Sequence, residues 1–260
     1  MVQGIGRVIS SLSSMKIIFQ DKDFIIVDKP VGIPVHAGIG TENPSASSRK
    51  ASWAEKTLVD FLVEKFPEIK SVGDSPELRP GIVHRLDRET SGVLVVARNQ
   101  EAFNYLKDLF KKREVEKKYL VLVHGRLKNK EGKIEGEMGR SKRDFRKQSF
   151  VRGKIKVRKG RYSLTYYRVL KEWNDYSLLE VFPKTGRMHQ IRVHLHSLGY
   201  PVVGDPKYTF KKYKKQSYPR MFLHAREISF RDQKGKRRKF ISPLSQEMKD
   251  FLGRIDDRKE

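Results

Sequence analysis

The chain of 260 residues is long enough for one large domain or two smaller lobes, and 37% of it is hydrophobic, enough for a globular core. It contains no cysteine, which excludes disulfides and thiolate metal sites and fits a reducing cytoplasm. Lys and Arg outnumber Asp and Glu by 56 to 31, a net charge of +25 that points to a polyanionic partner, most simply nucleic acid.

Met1 to Met15 is mildly apolar and Ser-rich. It has neither the basic start and apolar core of a signal peptide nor the length of a membrane span, so it reads as a short mobile leader. Lys16 to Val27 then predicts two short strands around a polar turn at Asp21 to Asp23. Asp28 to Gly38, DKPVGIPVHAG, holds two prolines and two glycines and reads as a stiff extended loop. Ile39 to Lys50, rich in Ser, Gly and small residues, reads as flexible. A helix runs from Thr57 to Phe66, with Leu58, Phe61, Leu62 and Phe66 as its buried stripe. Thr57 and Asp60 resemble a capping box, and Pro67 is the stop.

Ile82 and Val83 look like the end of a strand, and Val93 to Ala97 is a continuous apolar run of the kind buried on both faces. Between them lies HRLDRETSG, which sets Asp87 between Arg85 and Arg88 on a turn at a sheet end. Such a carboxylate, kept ionised by nearby cations, suits a nucleophile or base. Spacing alone favours an Asp that only bonds its own loop and pairs with a surface Arg. Ala102, Phe103, Leu106, Leu109 and Phe110 predict a helix from Gln100 to Arg113. Tyr119 to Val123 reads as a strand, closed by His124 and Gly125.

Ser163 to Trp173 and Ser177 to Phe182 predict a hairpin turning at Asn174 and Asp175, and Phe222 to Ser242 a second one turning near Gly235. Between the hairpins, KTGRMHQIRVHLHSLGYPVVGDPKY predicts a helix from Met188 to Leu198. Ile191, Leu195 and Leu198 face the core, His189, Arg192 and His196 line another face, and Gly199 caps the end. His189, His194 and His196 invite a metal reading, but His194 and His196 cannot share a helical face and no carboxylate stands at ligand spacing. They read as packing or hydrogen-bonding histidines, with no metal site. Neither a phosphate-loop motif nor a dinucleotide fingerprint is present, so no nucleotide cofactor is expected.

Strand pairs interspersed with a few helices indicate an α+β fold on a mixed, mainly antiparallel central sheet flanked by helices and loops. Basic residues gather in the expected connections Arg140 to Lys147, Lys154 to Arg161, Lys207 to Lys215 and Lys234 to Lys239. Phe145, Tyr208, Phe210 and Tyr213 stand among them as candidate stacking rings for unpaired bases.

Taken together, HRLDRETSG, VDKPVGIPVH, KKYLVLVHG and KTGRMHQIRVHLHSLGYPVVGDPKY resemble, in order, the motifs of the RluA family of pseudouridine synthases, from about Lys16 to Phe251. The resemblance implies a pseudouridine synthase catalytic domain over residues 16–255, with residues 256–260 as a tail. It implies isomerisation of a uridine within an RNA chain to pseudouridine: the uracil leaves N1 and rejoins the same ribose through C5, without cofactor or energy source. Asp87 resembles the essential aspartate and Arg192 the arginine that pairs with it. Tyr119 resembles the tyrosine whose ring packs on the target base, and Arg85 a residue that holds or flips the nucleotide. Arg187 and Lys184 are expected to line the site.

Many members of that family carry an N-terminal S4 RNA-binding domain, which residues 1–15 are too short to supply. RNA recognition is therefore expected from the catalytic domain and its basic loops, with Lys142, Arg143, Arg146 and Lys147 gripping RNA beside the cleft. The expected partner is ribosomal or transfer RNA, bound by a cytoplasmic monomer. Two rival readings carry less. A non-catalytic RNA-binding protein on the same fold need not keep both Asp87 and Arg192, and a metal-dependent nuclease lacks its carboxylate cluster.

Overall fold

The computed structural model describes residues 15–37, 56–142, 144, 147–151 and 157–257. Residues 1–14 of the expected leader and the small-residue stretch Ile39 to Lys50 lie outside the described residues, while Met15 is described and buried. The chain forms two compact units, residues 1–115 with 228–242, and residues 116–227 with 243–260.

The first unit is built on β1 (Lys16–Gln20), β2 (Phe24–Lys29) and β3 (Ser91–Ala97), paired antiparallel in that order. The β1–β2 turn falls where the sequence puts it, because Asp21 Oδ1 accepts from the Asp23 and Phe24 amides at 2.9 Å each. All seven residues of β3 are buried, as its unbroken apolar run requires. Ile82, expected to end a strand, makes only an isolated bridge to Val96. Gly81 crosses so close to β3 that a Cβ there would lie 2.5 Å from the Ala97 carbonyl oxygen, and its φ is +69°. The chain therefore touches β3 and turns away.

Helix α1 (Leu58–Lys65) opens on the expected capping box. The Asp60 amide donates to Thr57 Oγ1 at 3.3 Å, and the Thr57 amide to Asp60 Oδ2 at 2.7 Å. The Leu58 and Val59 amides donate to the Pro34 and Val35 carbonyls, so the helix start also pins the DKPVGIP loop. Helix α2 (Gln100–Lys112) buries Ala102, Phe103, Leu106 and Leu109. Strand β9 (Leu223–Arg231) passes from the second unit into the first at Ile228 and pairs with β10 (Arg237–Ile241) around Gly235, φ +76°.

The second unit is an antiparallel sheet in the order β4 (Glu116–His124), β8 (Tyr176–Pro183), β7 (Val157–Glu172), β5 (Glu131–Ser141), β6 (Gln148–Phe150). The inward residues Val121, Leu179, Val181, Tyr167 and Ile134 form its core with Ile191 and Leu195 of α3 (Gln190–Ser197). At the other end α4 (Gln246–Asp256) packs Met248 and Ile255 against Leu122, Trp173 and Phe222. The Trp173 indole N–H donates to Asp256 Oδ1 at 2.8 Å, and Lys171 pairs with the same carboxylate.

Several expectations change here. Strands β5 and β6 and helix α4 were not anticipated, and β4 and β7 begin three and six residues before the expected Tyr119 and Ser163. Parts of the basic connections are in fact strand: Arg140 and Ser141 end β5, β7 opens at Val157, and Arg237 to Lys239 belong to β10. In β5, EGKIEGEMGRS, only Ile134 and Met138 are large and inward. Gly132 is required because a Cβ would meet Tyr167 Oη at 2.8 Å. The α+β class with mainly antiparallel pairing stands as expected. Among the described residues no helix is long and apolar enough to cross a membrane.

Candidate active site

The residues singled out from the sequence fall in both units. In the first, half-buried Asp87 sits on a turn closed by the Thr90 amide donating to its carbonyl at 3.0 Å. Leu86 on one side enters the core. On the other, the Arg88 carbonyl accepts from the Gly32 amide at 2.8 Å, and Arg88 Nε returns a bond to the Gly32 carbonyl at 3.0 Å.

Beneath this turn Lys29, fully buried at the end of β2, donates from Nζ to three carbonyls: Ile33 at 2.7 Å, Pro30 at 2.9 Å and Arg88 at 3.3 Å. One ammonium with three donors thus ties DKPVGIP to the Asp87 loop. His84 Nε2 accepts from the Val95 amide at 3.1 Å, and its ring stacks on Phe110 at 4.5 Å, so the imidazole is neutral with its proton on Nδ1. Arg85 is exposed. His36 is held below the usual histidine range by burial, and by the charges of Arg85 and Arg79. That marks a cationic environment around HRLD.

In the second unit Arg192 is completely buried on α3 and forks onto the equally buried Asp205, with Nε to Oδ2 at 2.7 Å and Nη2 to Oδ1 at 2.8 Å. Asp205 Oδ1 also accepts from the Lys207 and Tyr208 amides, and the Tyr208 ring lies 5.2 Å from the guanidinium carbon. Bidentate pairing with further bonds to the acid fixes a guanidinium in plane and direction. The fork takes two of the five donors that arginine carries.

The turn before α3 is locked by Gln190, whose side chain bonds Thr185 Oγ1, the Arg187 amide, the Leu164 carbonyl and Thr165 Oγ1 at 2.7–3.0 Å. This lock explains a correction. The helix starts at Gln190 rather than Met188, and His189 stands outside it with φ +56°. Tyr208 Oη holds that strained residue through a 2.8 Å hydrogen bond with His189 Nδ1, and it also accepts from the Gln148 amide. His194 bonds Ser163 Oγ at 2.9 Å, and burial pushes its pKa down to about 4. Among the described residues no group of three or more acidic or histidine side chains is placed to hold a metal.

Tyr119 lies half-buried in β4 opposite Val181 and packs on the core that α3 covers. Two residues before it, on the same strand face, Lys117 is pushed down to about 8 by burial, with the Lys184 charge adding to the effect. Lys184 is exposed, and Arg187 Nε donates to the Tyr162 carbonyl at 3.0 Å. Lys142 is exposed just past β5, while Arg143 and Arg146 lie outside the described residues.

The structure thus gathers Tyr119, Lys184, Arg187 and Arg192 in one unit, and Arg85 and Asp87 in the other. Sequence reasoning missed Lys29, Gln190 and Asp205 as positioning residues. The signal for Lys29 was a cation at a core position of a buried strand, followed by prolines. For Asp205 it was a lone acid between Gly204 and Pro206, directly after the helix segment.

The rings in the basic stretch also differ from expectation. Tyr208 is buried, Phe210 lies 4.6 Å from His196, and Tyr213 stacks on His124 at 3.8 Å, so all three are engaged internally rather than held out for bases. Phe145 lies outside the described residues.

A family model described as RNA pseudouridylate synthase matches residues 23–197. An uncharacterized RNA pseudouridine synthase of Chloroflexus aurantiacus is 40% identical over 232 residues, 89% of this chain and 66% of that relative. Ribosomal large subunit pseudouridine synthase D of Borreliella burgdorferi is 34% identical over 241 residues, 91% of this chain and 67% of the relative. The chain therefore spans about two thirds of the length of these proteins. Human RNA pseudouridylate synthase domain containing 1 superposes with a TM-score of 0.71 at 25% identity, over 95% of this chain and 96% of that one. With its HRLD turn and HQIR helix inside the matched region, the chain belongs to the RNA pseudouridylate synthase family, of the RluA type.

Proposed function

We propose that the protein isomerises specific uridines in structured ribosomal RNA to pseudouridine, acting as a cytoplasmic monomer with Asp87 as its catalytic residue. The observation that carries this reading is the family match over residues 23–197, which takes in both the HRLD turn and the HQIR helix. The large-subunit name of the Borreliella relative favours ribosomal over transfer RNA.

In this reading Asp87 is the catalytic carboxylate, and Arg192, fixed in plane and direction by its fork onto Asp205, is a second catalytic residue. The Asp87 oxygens act on the flipped nucleotide, at C1′, at C6 or by removing a ribose proton. The C1′–N1 bond breaks, C1′–C5 forms, the C5 proton is lost and N1 gains one. Extruding the uridine costs a few kcal/mol, of which stacking on Tyr119 returns about 1–3 kcal/mol. Arg85 holds the extruded nucleotide, Arg187 and Lys184 line the site, and Lys142 with Arg143 grips the RNA backbone. The buried tethers of Lys29 and Asp205 support the reading by fixing the two loops on which Asp87 and Arg192 depend.

Pseudouridine mapping across total RNA, from cells with and without the protein, tests it. At least one ribosomal site should vanish on deletion and return with wild type but not with Asp87→Asn. Full rescue by Asp87→Asn would remove the carboxylate from the chemistry, and loss confined to transfer RNA would overturn the ribosomal assignment.

A further inference from the structure

The segment from Pro206 to Pro219 holds five lysines and no acidic residue. Lys207, Lys211, Lys212, Lys214 and Lys215 are all exposed, whereas Tyr208 is buried and Phe210 and Tyr213 are half-buried. Elsewhere in the same unit several cations on the sheet have acids beside them. Lys118 faces Glu180 and Glu227, Lys133 pairs with Glu135, and Arg168 with Glu180. The five loop lysines form no ion pair with any described carboxylate.

Placing like charges this close destabilises the folded chain, yet the loop is held firmly. The amides of Lys207 and Tyr208 bond Asp205, Phe210 packs on His196 of α3, and a short 3-10 turn spans Lys211–Tyr213. The Tyr213 ring then lies 3.8 Å from the His124 ring at an interplanar angle of 10°. His124, lowered to about 4 by burial and by Lys212, stays neutral and adds no charge to the stack. The rings are engaged internally and the lysines stay exposed, with the Lys212 ammonium 4.7 Å from the Tyr213 ring centre. A loop that keeps its repulsion and is stapled in place has a local conflict best explained by an absent polyanion.

We propose that the Lys207–Lys215 loop is a preformed ridge for the phosphate backbone of the RNA substrate, stapled by the Tyr213–His124 stack and continuous with the Asp205–Arg192 fork. The proposal rests on the reading of the protein as an RNA-modifying enzyme. The loop meets backbone rather than bases, because its rings are already engaged. Stapling removes part of the ordering cost that flexible lysines carry on binding.

Binding of an unmodified ribosomal RNA transcript, followed between about 50 and 200 mM salt, tests the ridge. Lys211, Lys212, Lys214 and Lys215 are changed to Gln together. A control of equal charge loss changes the exposed Lys65, Lys70, Lys111 and Lys249 to Gln. The loop variant should bind roughly tenfold or more weakly, and its log–log salt slope should be shallower by about 3, near 0.7–0.9 per lost phosphate contact. The control should stay closer to wild type. Loop and control variants that behave alike would overturn the ridge.

Tyr213→Ala keeps every charge. It should weaken binding several-fold while Tyr213→Phe does not, and wild-type affinity in Tyr213→Ala would overturn the staple. Pseudouridine formation by the wild type on the same transcript is read separately. Binding through the ridge without isomerisation would support the ridge and sink only the catalytic reading.

Discussion

Arg192 and Lys29 are long cations in places that ordinarily exclude charge, and each is kept there by satisfying its donors. Arg192 does so with a carboxylate, Lys29 with three carbonyls. Breaking a buried pair by removing one charge costs about 3–5 kcal/mol. Asp205→Asn should therefore lower the urea midpoint by a corresponding amount and reduce pseudouridine formation, although Asp205 is assigned no step in the chemistry. Unchanged stability would mean that the fork is not what holds Arg192. At this scale dense local motifs single out Asp87 and Arg192 as the candidate site residues. The sequence concealed their supports, because Lys29 acts on Arg88 across 59 positions and no local pattern reports such a bond.

Elements were legible where burial imposes a period. The buried β2–β3 pair, the stripe of α2 and the capping box of α1 all follow from apolar spacing and end chemistry. Strands β5 and β6 were not, since β5 is held by pairing with β7, β6 by pairing with β5, and both by glycines that admit Tyr167 and Phe150 rather than by an apolar face of their own. Helix α4 carries Met248, Phe251, Leu252 and Ile255 at helical spacing and was available to the same reasoning.

The start of α3 was misplaced because a side chain, not propensity, decides it: Gln190 answers four polar groups at once. Gln190→Ala strands several of them, and an unsatisfied buried group costs about 1–3 kcal/mol. A fall in unfolding free energy of at least that size is expected in urea titration. A loss under about 0.5 kcal/mol, typical of a surface change, would show that the turn holds without it.

At the scale of the whole molecule, two buried histidines set an acid limit. His124 and His194 are each lowered from 6.5 to about 4, the first by burial and Lys212, the second by burial. The unfolded chain binds their protons first as pH falls, so the stability they contribute is complete above about 6.5 and is lost on the way down to about 4. The expected loss is up to about 3 kcal/mol per histidine at 1.36 kcal/mol per pH unit. His194→Gln should flatten the stability–pH curve between those limits, as read by urea midpoints across a pH series. An unaltered curve would assign the acid sensitivity to other groups. Net charge read from composition indicated a polyanion correctly. It did not reveal that Lys118, Lys133 and Arg168 on the sheet are answered by nearby acids while the Lys207–Lys215 loop keeps its lysines exposed.

The indole of Trp173, bonded to Asp256 and packed on Met248 and Ile255, gives the protein an optical reporter of its own C-terminal helix. Trp53 is the second of two tryptophans, so Trp53→Phe leaves a single emitter. Detachment of α4 would then redden and dim the fluorescence, and an emission shift preceding the loss of far-ultraviolet ellipticity would reveal that helix peeling away before the sheet melts.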